Sequence, residues 1–94
     1  MPPRITIGRN RGGDLEVWLN PEGRDLLVRE LQQLSEENDH FHFMPEDMDG
    51  EAPLRNLPYH EGDEIIEWAK VSFRPDGWDA RYYPHVLDTP SDPN

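Results

Sequence analysis

Cysteine is absent, which excludes a disulfide framework, a thiolate metal site and a thiol nucleophile, and suits a reducing compartment. Long apolar runs are absent too. No stretch approaches the roughly 18 residues of a membrane span, and Met-Pro-Pro-Arg at the start lacks the apolar centre of a signal peptide. The expectation is a soluble, cytoplasmic protein. Positive charge is scarce: nine Lys and Arg stand against twenty Asp and Glu, a net charge of −11. Such a chain is poorly suited to nucleic acid. No G-x-S-x-G, P-loop or Rossmann glycine pattern occurs, and no Ser/His or Cys/His pairing is indicated. No enzyme activity and no cofactor are expected.

What is present is modest but patterned. Apolar residues make up 34% of the 94, and three each of Trp, Tyr and Phe argue against general disorder. The length fits one domain, expected over 1–87, with Asp-Thr-Pro-Ser-Asp-Pro-Asn (88–94) as a disordered tail.

The chain is organised around Leu15 to Phe43. Asn20-Pro21 supplies a capping side chain followed by a proline at the first helical position, where its missing N–H costs nothing. At 100° per residue, Leu27, Leu31 and Leu34 form a stripe that includes Gly23 and is flanked by Leu26 and Val28. Gly23 on that stripe predicts a close approach of the first turn to a sheet. Asp25 is placed to pair with Arg29 on the opposite face, and Glu36 and Glu37 fall in what reads as the last turn, against the macrodipole. The flanking segments alternate with period two, so they read as strands. Leu15, Val17 and Leu19 share one face and should meet the helix, leaving Glu16 and Trp18 on the other. Phe41 and Phe43 share a face, opposite His40, His42 and Met44.

Around this unit, Arg4 to Arg9 reads as a first strand, joined to the second by the turn residues Asn10-Arg11-Gly12-Gly13. Pro45 to Gly62 is a long acidic loop. Asp63 to Phe73 is the longest strand candidate, apolar on both faces. Trp78 to Tyr83 reads as a short returning strand after the Pro75-Asp76-Gly77 turn. The expected class is α+β: an antiparallel or mixed sheet of four to five strands, in the order β-β-α-β-β with an added C-terminal strand, and one main helix packed on one face.

The negative charge is concentrated. Residues 1–30 hold five Arg and five acids. Residues 31–69 hold eleven acids against Arg55 alone, and residues 70–94 hold four acids against three cations. A field of one sign suits either solubility or a basic protein partner. Among the acids, Asp47, Asp49 and Glu51 have part of the look of a calcium loop, without its terminal bidentate Glu. Asp63, Glu64 and Glu67 have no pocket to make them an acid/base pair. His40 and His42 are weak metal candidates at i, i+2; two histidines on a solvated strand face is the reading adopted, and no metal is expected. Trp18, Trp68, Ile66 and His42 could form an aromatic patch rimmed by acids, or Trp78, Tyr82 and Tyr83 could cover it as a second small core.

Several of these segments together carry a resemblance. Glu22-Gly23 with Leu27, Leu31 and Leu34, the His40-Phe41-His42 strand, the acidic loop and the strand from Asp63 to Val71 resemble the immunity protein 32 family of bacterial polymorphic toxin systems. The long loop before Gly62 and the Trp/Tyr-rich stretch after Phe73 depart from that pattern. The resemblance implies a cytoplasmic protein that binds and neutralises a cognate toxin. The expected contact comprises Glu36, Glu37, Asp39, Asp47, Asp49, Glu51, Glu61, Asp63 and Glu64, with Trp18, Trp68 or Tyr59 as apolar anchor and a basic toxin as partner. The other reading is a small acidic adaptor or regulatory domain, monomeric or paired as a homodimer through an open sheet face.

Overall fold

The computed structural model describes residues 1–88; the expected tail lies outside them, apart from Asp88. The chain is α+β, with two helices and two three-stranded sheets. Strands β1 (Ile5–Arg9) and β2 (Leu15–Leu19) form the expected hairpin, closed by an Asn10 amide bond to the Asp14 carbonyl at 2.9 Å. Helix α1 (Pro21–Gln32) follows. Then come β3 (His40–Pro45), β4 (Ala52–Leu54), β5 (Glu64–Ile65) and β6 (Ala69–Ser72), and finally α2 (Asp76–Tyr82). Among the described residues no helix is long and apolar enough to cross a membrane.

The expected single sheet is two. The first has the order β2-β1-β5 and is antiparallel; the second has the order β4-β3-β6, with β3 parallel to β4 and antiparallel to β6. The cause is a break in the segment read as one strand from Asp63 to Phe73. Ile66 packs on the core and gives its amide to the Ile7 carbonyl at 2.9 Å, whereas the next core-packed residues are Ala69 and Val71. The inward positions step by three between Ile66 and Ala69, so period two is interrupted at Glu67 and Trp68. There the chain leaves the first sheet and enters the second. Its two apolar faces belong to two strands.

The long loop also contains structure. Glu46–Met48 forms a 3₁₀ turn, Asp49 takes a left-handed conformation at φ 58°, and β4 returns beside the last three residues of β3. A parallel neighbour normally needs a longer crossover. Here the chain retreats by only two residues of β3, about 7 Å, because Phe43 pairs with Ala52 and Pro45 with Leu54. Gly50 permits the reversal: a Cβ there would lie 2.6 Å from the Met44 sulfur.

One core joins the sheets. Ile5 and Ile7 from β1, Phe41 and Phe43 from β3, and Ala52 and Leu54 from β4 are buried, with Leu26 and Leu27 of α1 and Leu34 just beyond its end against them. Leu15, Val17 and Leu19 are paired across the hairpin with Arg9, Ile7 and Ile5, but the expectation that the helix buries them is not met. They remain 60%, 51% and 40% exposed on the edge strand and do not join the core.

Asn20 explains the helix start. Its side-chain oxygen accepts from the Gly23 amide at 2.7 Å and from the Arg4 amide at 2.8 Å, while its amide nitrogen donates to the Pro2 carbonyl at 3.0 Å. One side chain thus caps α1 and ties it to the entry of β1. At the other end α1 stops at Gln32, so Glu36 and Glu37 lie beyond it rather than in its last turn. Asn38 donates to the Gln33 carbonyl at 3.0 Å, and Ser35 accepts from the Asn38 amide. Asp25 pairs with its neighbour Arg24 at 3.1 Å rather than with Arg29; both are exposed and the pair adds little.

The segment read as a last strand, Trp78 to Tyr83, is largely helix α2. Trp78 and Tyr82 share its face four residues apart, with ring centres 4.7 Å apart, and the Arg74 guanidinium lies 4.7 Å from the Trp78 ring. Aromatics at i and i+4 satisfy a helix as well as alternation satisfies a strand, and the Pro75 carbonyl nucleates the turn by accepting from the Trp78 amide. A 3₁₀ turn at Pro84–Leu87 follows.

Candidate functional site

The acids do not line one flank. Asp39 precedes β3 and Asp47 follows it, which separates them by roughly 20 Å of strand. Three groups result. Glu36 and Asp39 border a cleft against Arg74, Trp78 and Arg81. Glu46 and Asp47 share a depression with Asn56 and Glu67, where Asn56 donates to Glu67 at 2.9 Å; Asp49 and Glu51 continue that turn in sequence. Asp63 meets Asp14, Glu16 and His60 at the tip of the β1–β2 hairpin, and Glu64 of β5 stands opposite Arg9 of β1 in the strand register. The expectation of a single acidic face from Glu36 to Glu64 is corrected to three patches, because β3 passes between two of them and the reversal after it carries the third group back to β1.

Most of these carboxylates have no cation of their own. Among the described residues, Asp39 and Glu46 are the two of the eleven acids in 31–69 that lie within 4.0 Å of an arginine or lysine, namely Arg74 at 3.3 Å and Arg55 at 2.7 Å. Asp39 is also the acceptor of the His40 Nδ1–H at 2.8 Å. That hydrogen bond, and then the charge of Arg74, hold its pKa below the usual aspartate range, with desolvation opposing them. A folded pKa below the unfolded one means that stability is gained above the unfolded value of about 3.9 and lost as pH falls through the folded value. In a carboxyl NMR titration, Asp39 should therefore reach its midpoint below the ordinary range. His40→Ala should move it upward more than Arg74→Gln does; an unmoved midpoint in both variants would show that neither partner holds it.

The aromatic expectations are rearranged. Trp18 does point away from α1, but its partner is Tyr59, stacked at 4.2 Å and 13°, with His60 at 5.8 Å. The chain after β4 carries Tyr59 across the far side of the first sheet, where Arg55 gives its amide to the Ile5 carbonyl at 2.7 Å. Trp68 does not join Trp18 and stands 55% exposed beside Glu67. Trp78, Tyr82 and Tyr83 pack on one another, not over Trp18. His40 and His42 do share the outer face of β3, their rings edge to face at 5.1 Å, opposite Ser72 and Lys70. Among the described residues no third metal-ligating side chain joins that pair.

Glu16 joins His60 and Asp63 at the hairpin tip although nothing in its local sequence marks it as a site residue. Its alternation with Leu15 and Val17 placed it on the Trp18 face, and what the sequence did not show is that His60 and Asp63 would arrive there from the other end of the long loop. No protein-family model, curated protein or solved structure matches the chain.

Proposed function

We propose that the chain is an immunity-type protein that binds and neutralises a cognate bacterial toxin in the cytoplasm, using an acidic surface against a basic one and performing no chemistry of its own. The observation that carries this reading is the set of acids without cations: nine of the eleven carboxylates between residues 31 and 69 have no Arg or Lys within 4.0 Å. Left unneutralised by the fold, they are available to a partner's arginines and lysines. The resemblance of the helix, the His-x-His strand and the acidic loop to the immunity protein 32 family supports the same class.

The patch at Asp47, Asp49, Glu51 and Glu67 suits the contact best. Trp68, the residue after Glu67 in sequence, is 55% exposed and is taken as the apolar anchor that such a contact needs. Trp18 and Tyr59 are stacked on each other and serve the fold first. The two roles separate kinetically. Measured against a basic nuclease toxin domain encoded beside this gene, Asp47→Asn, Asp49→Asn and Glu51→Gln together should slow association about tenfold at low salt and much less at high salt. Trp68→Ala should instead speed dissociation, by about 30-fold for a 2 kcal/mol hot spot. An association rate that the triple variant leaves unchanged at low salt removes this patch as the contact. Failure of the unaltered protein to bind any such toxin domain removes the function.

A further inference from the structure

We propose that Glu16, His60 and Asp63 form a binding site for a divalent transition cation, for which zinc is the natural probe. One carboxylate oxygen from each acid and one imidazole nitrogen lie within 4.8 Å of one another. Tetrahedral ligation at about 2.0–2.2 Å places ligand atoms about 3.3 Å apart. The His60 ring is largely exposed and Glu16 is half-buried, so small side-chain rotations close that gap without moving the backbone.

The independent pointer is Asp63. Its side chain is only 6% exposed, and one of its oxygens, Oδ1, is buried with no hydrogen-bond partner. The other oxygen accepts from the His60 amide at 3.0 Å and lies 3.6 Å from His60 Nδ1. A buried carboxylate oxygen with no donor is costly unless something positive meets it. A cation held by all three residues would meet that need.

The surroundings hold the ligands in place. Glu16 accepts from the Asn10 side chain at 3.2 Å, and Asn10 in turn accepts from the Asp14 amide at 3.0 Å, so the hairpin turn orients the first ligand. His60 rests against Trp18, which Tyr59 backs by stacking. Such outer contacts are what fix ligand geometry in built metal sites. Around the rim, Arg11 is the cationic side chain, lying over Gly62, whose φ of +90° and open Cα give it room. Glu16, Asp63 and the rim residue Asp14 outweigh it.

The donor set selects the cation class. One imidazole and two carboxylates suit zinc and its neighbours, with a fourth position open to water, whereas calcium demands six to eight oxygens that this cleft does not offer. The inference stands apart from toxin binding and neither needs nor tests it.

The test is titration of the full chain with zinc chloride, followed by calorimetry, thermal melting and histidine NMR. Expected are one zinc per chain, a melting temperature raised by roughly 10 °C at hundredfold excess over Kd, and the largest shift on the His60 ring. His60→Ala, a substitution at an exposed position, should weaken binding at least about tenfold, and so should Glu16→Gln. The double variant His40→Ala, His42→Ala should bind as before. The proposal is overturned if no zinc binds, if His60→Ala binds equally well, or if calcium binds as tightly as zinc, which would reduce the effect to general attraction by an acidic surface.

Discussion

Phe41→Ala should cost about 3–5 kcal/mol, a substantial share of what the fold has to lose. Phe41 is 2% exposed, on the central strand of the second sheet, with the Phe43 ring 5.5 Å away and Val71 opposite it on β6. Truncating a buried phenylalanine loses the transfer free energy of its ring and leaves a cavity, and the two together commonly reach that range. Whether the loss is tolerable depends on how much core remains. Among the described residues the buried apolar ones are Ile5, Ile7, Phe41, Phe43, Ala52 and Leu54, and a domain of this length has roughly 5–14 kcal/mol of net stability to lose. The neighbouring strands cannot easily collapse into the space, because β3 is held on both sides by β4 and β6. Chemical denaturation should show the midpoint falling steeply. By contrast, Leu31→Ala, at a position 47% exposed on α1, should cost under about 1 kcal/mol. Equal losses at the two positions would mean that the core is not where the fold places it.

How far the sequence predicted this arrangement depends on how local each signal was. Asn20, Pro21 and Gly23 act within a few residues, and the cap, the first turn and its close approach all stand as the sequence implied. The Asn10–Gly13 turn set the hairpin for the same reason. The alternation of His40 to Phe43 correctly separated the buried phenylalanines from the outer histidines. Asp63 to Phe73 misled because a change of inward face needs one extra residue, and that residue is invisible when both faces are apolar. Trp78 to Tyr83 misled because it is too short for period two and period 3.6 to be told apart. The candidate sites were harder still. Acids close in sequence need not be close in space: β3 runs between Asp39 and Asp47. Conversely, Glu16 and His60 are 44 positions apart and meet only because the loop after β4 returns to the first hairpin. Composition carries the sign of the charge; only the path of the chain divides it into patches.

Gly23→Ala presents a contest between two effects of known sign. In an ordinary helix interior, alanine is favoured over glycine by about 0.8–1 kcal/mol. At Gly23, however, the added Cβ would fall on the Arg4 carbonyl oxygen and crowd the Asn20 side chain at 3.0 Å. Both are parts of the knot that joins α1 to β1: the Arg4 carbonyl accepts from the Asn20 amide at 3.1 Å, and Asn20 caps the Gly23 amide. Backbone cannot turn aside as the end of a flexible side chain can. Helix and strand must separate, which stretches the cap and opens the contact between α1 and the buried Ile5. Overpacking of this kind costs about 1–3 kcal/mol or more, and loss of an Asn cap adds about 1 kcal/mol. The clash therefore outweighs the propensity gain, and thermal melting should show Gly23→Ala destabilised by about 2 kcal/mol or more. Gly77→Ala in α2 is the internal control: no atom lies within 4 Å of a Cβ built there, so only propensity acts and the change should be neutral or slightly stabilising. If Gly23→Ala instead matched Gly77→Ala, α1 would not be seated against β1, and the packing that aligns the hairpin with the rest of the chain would have to be redrawn.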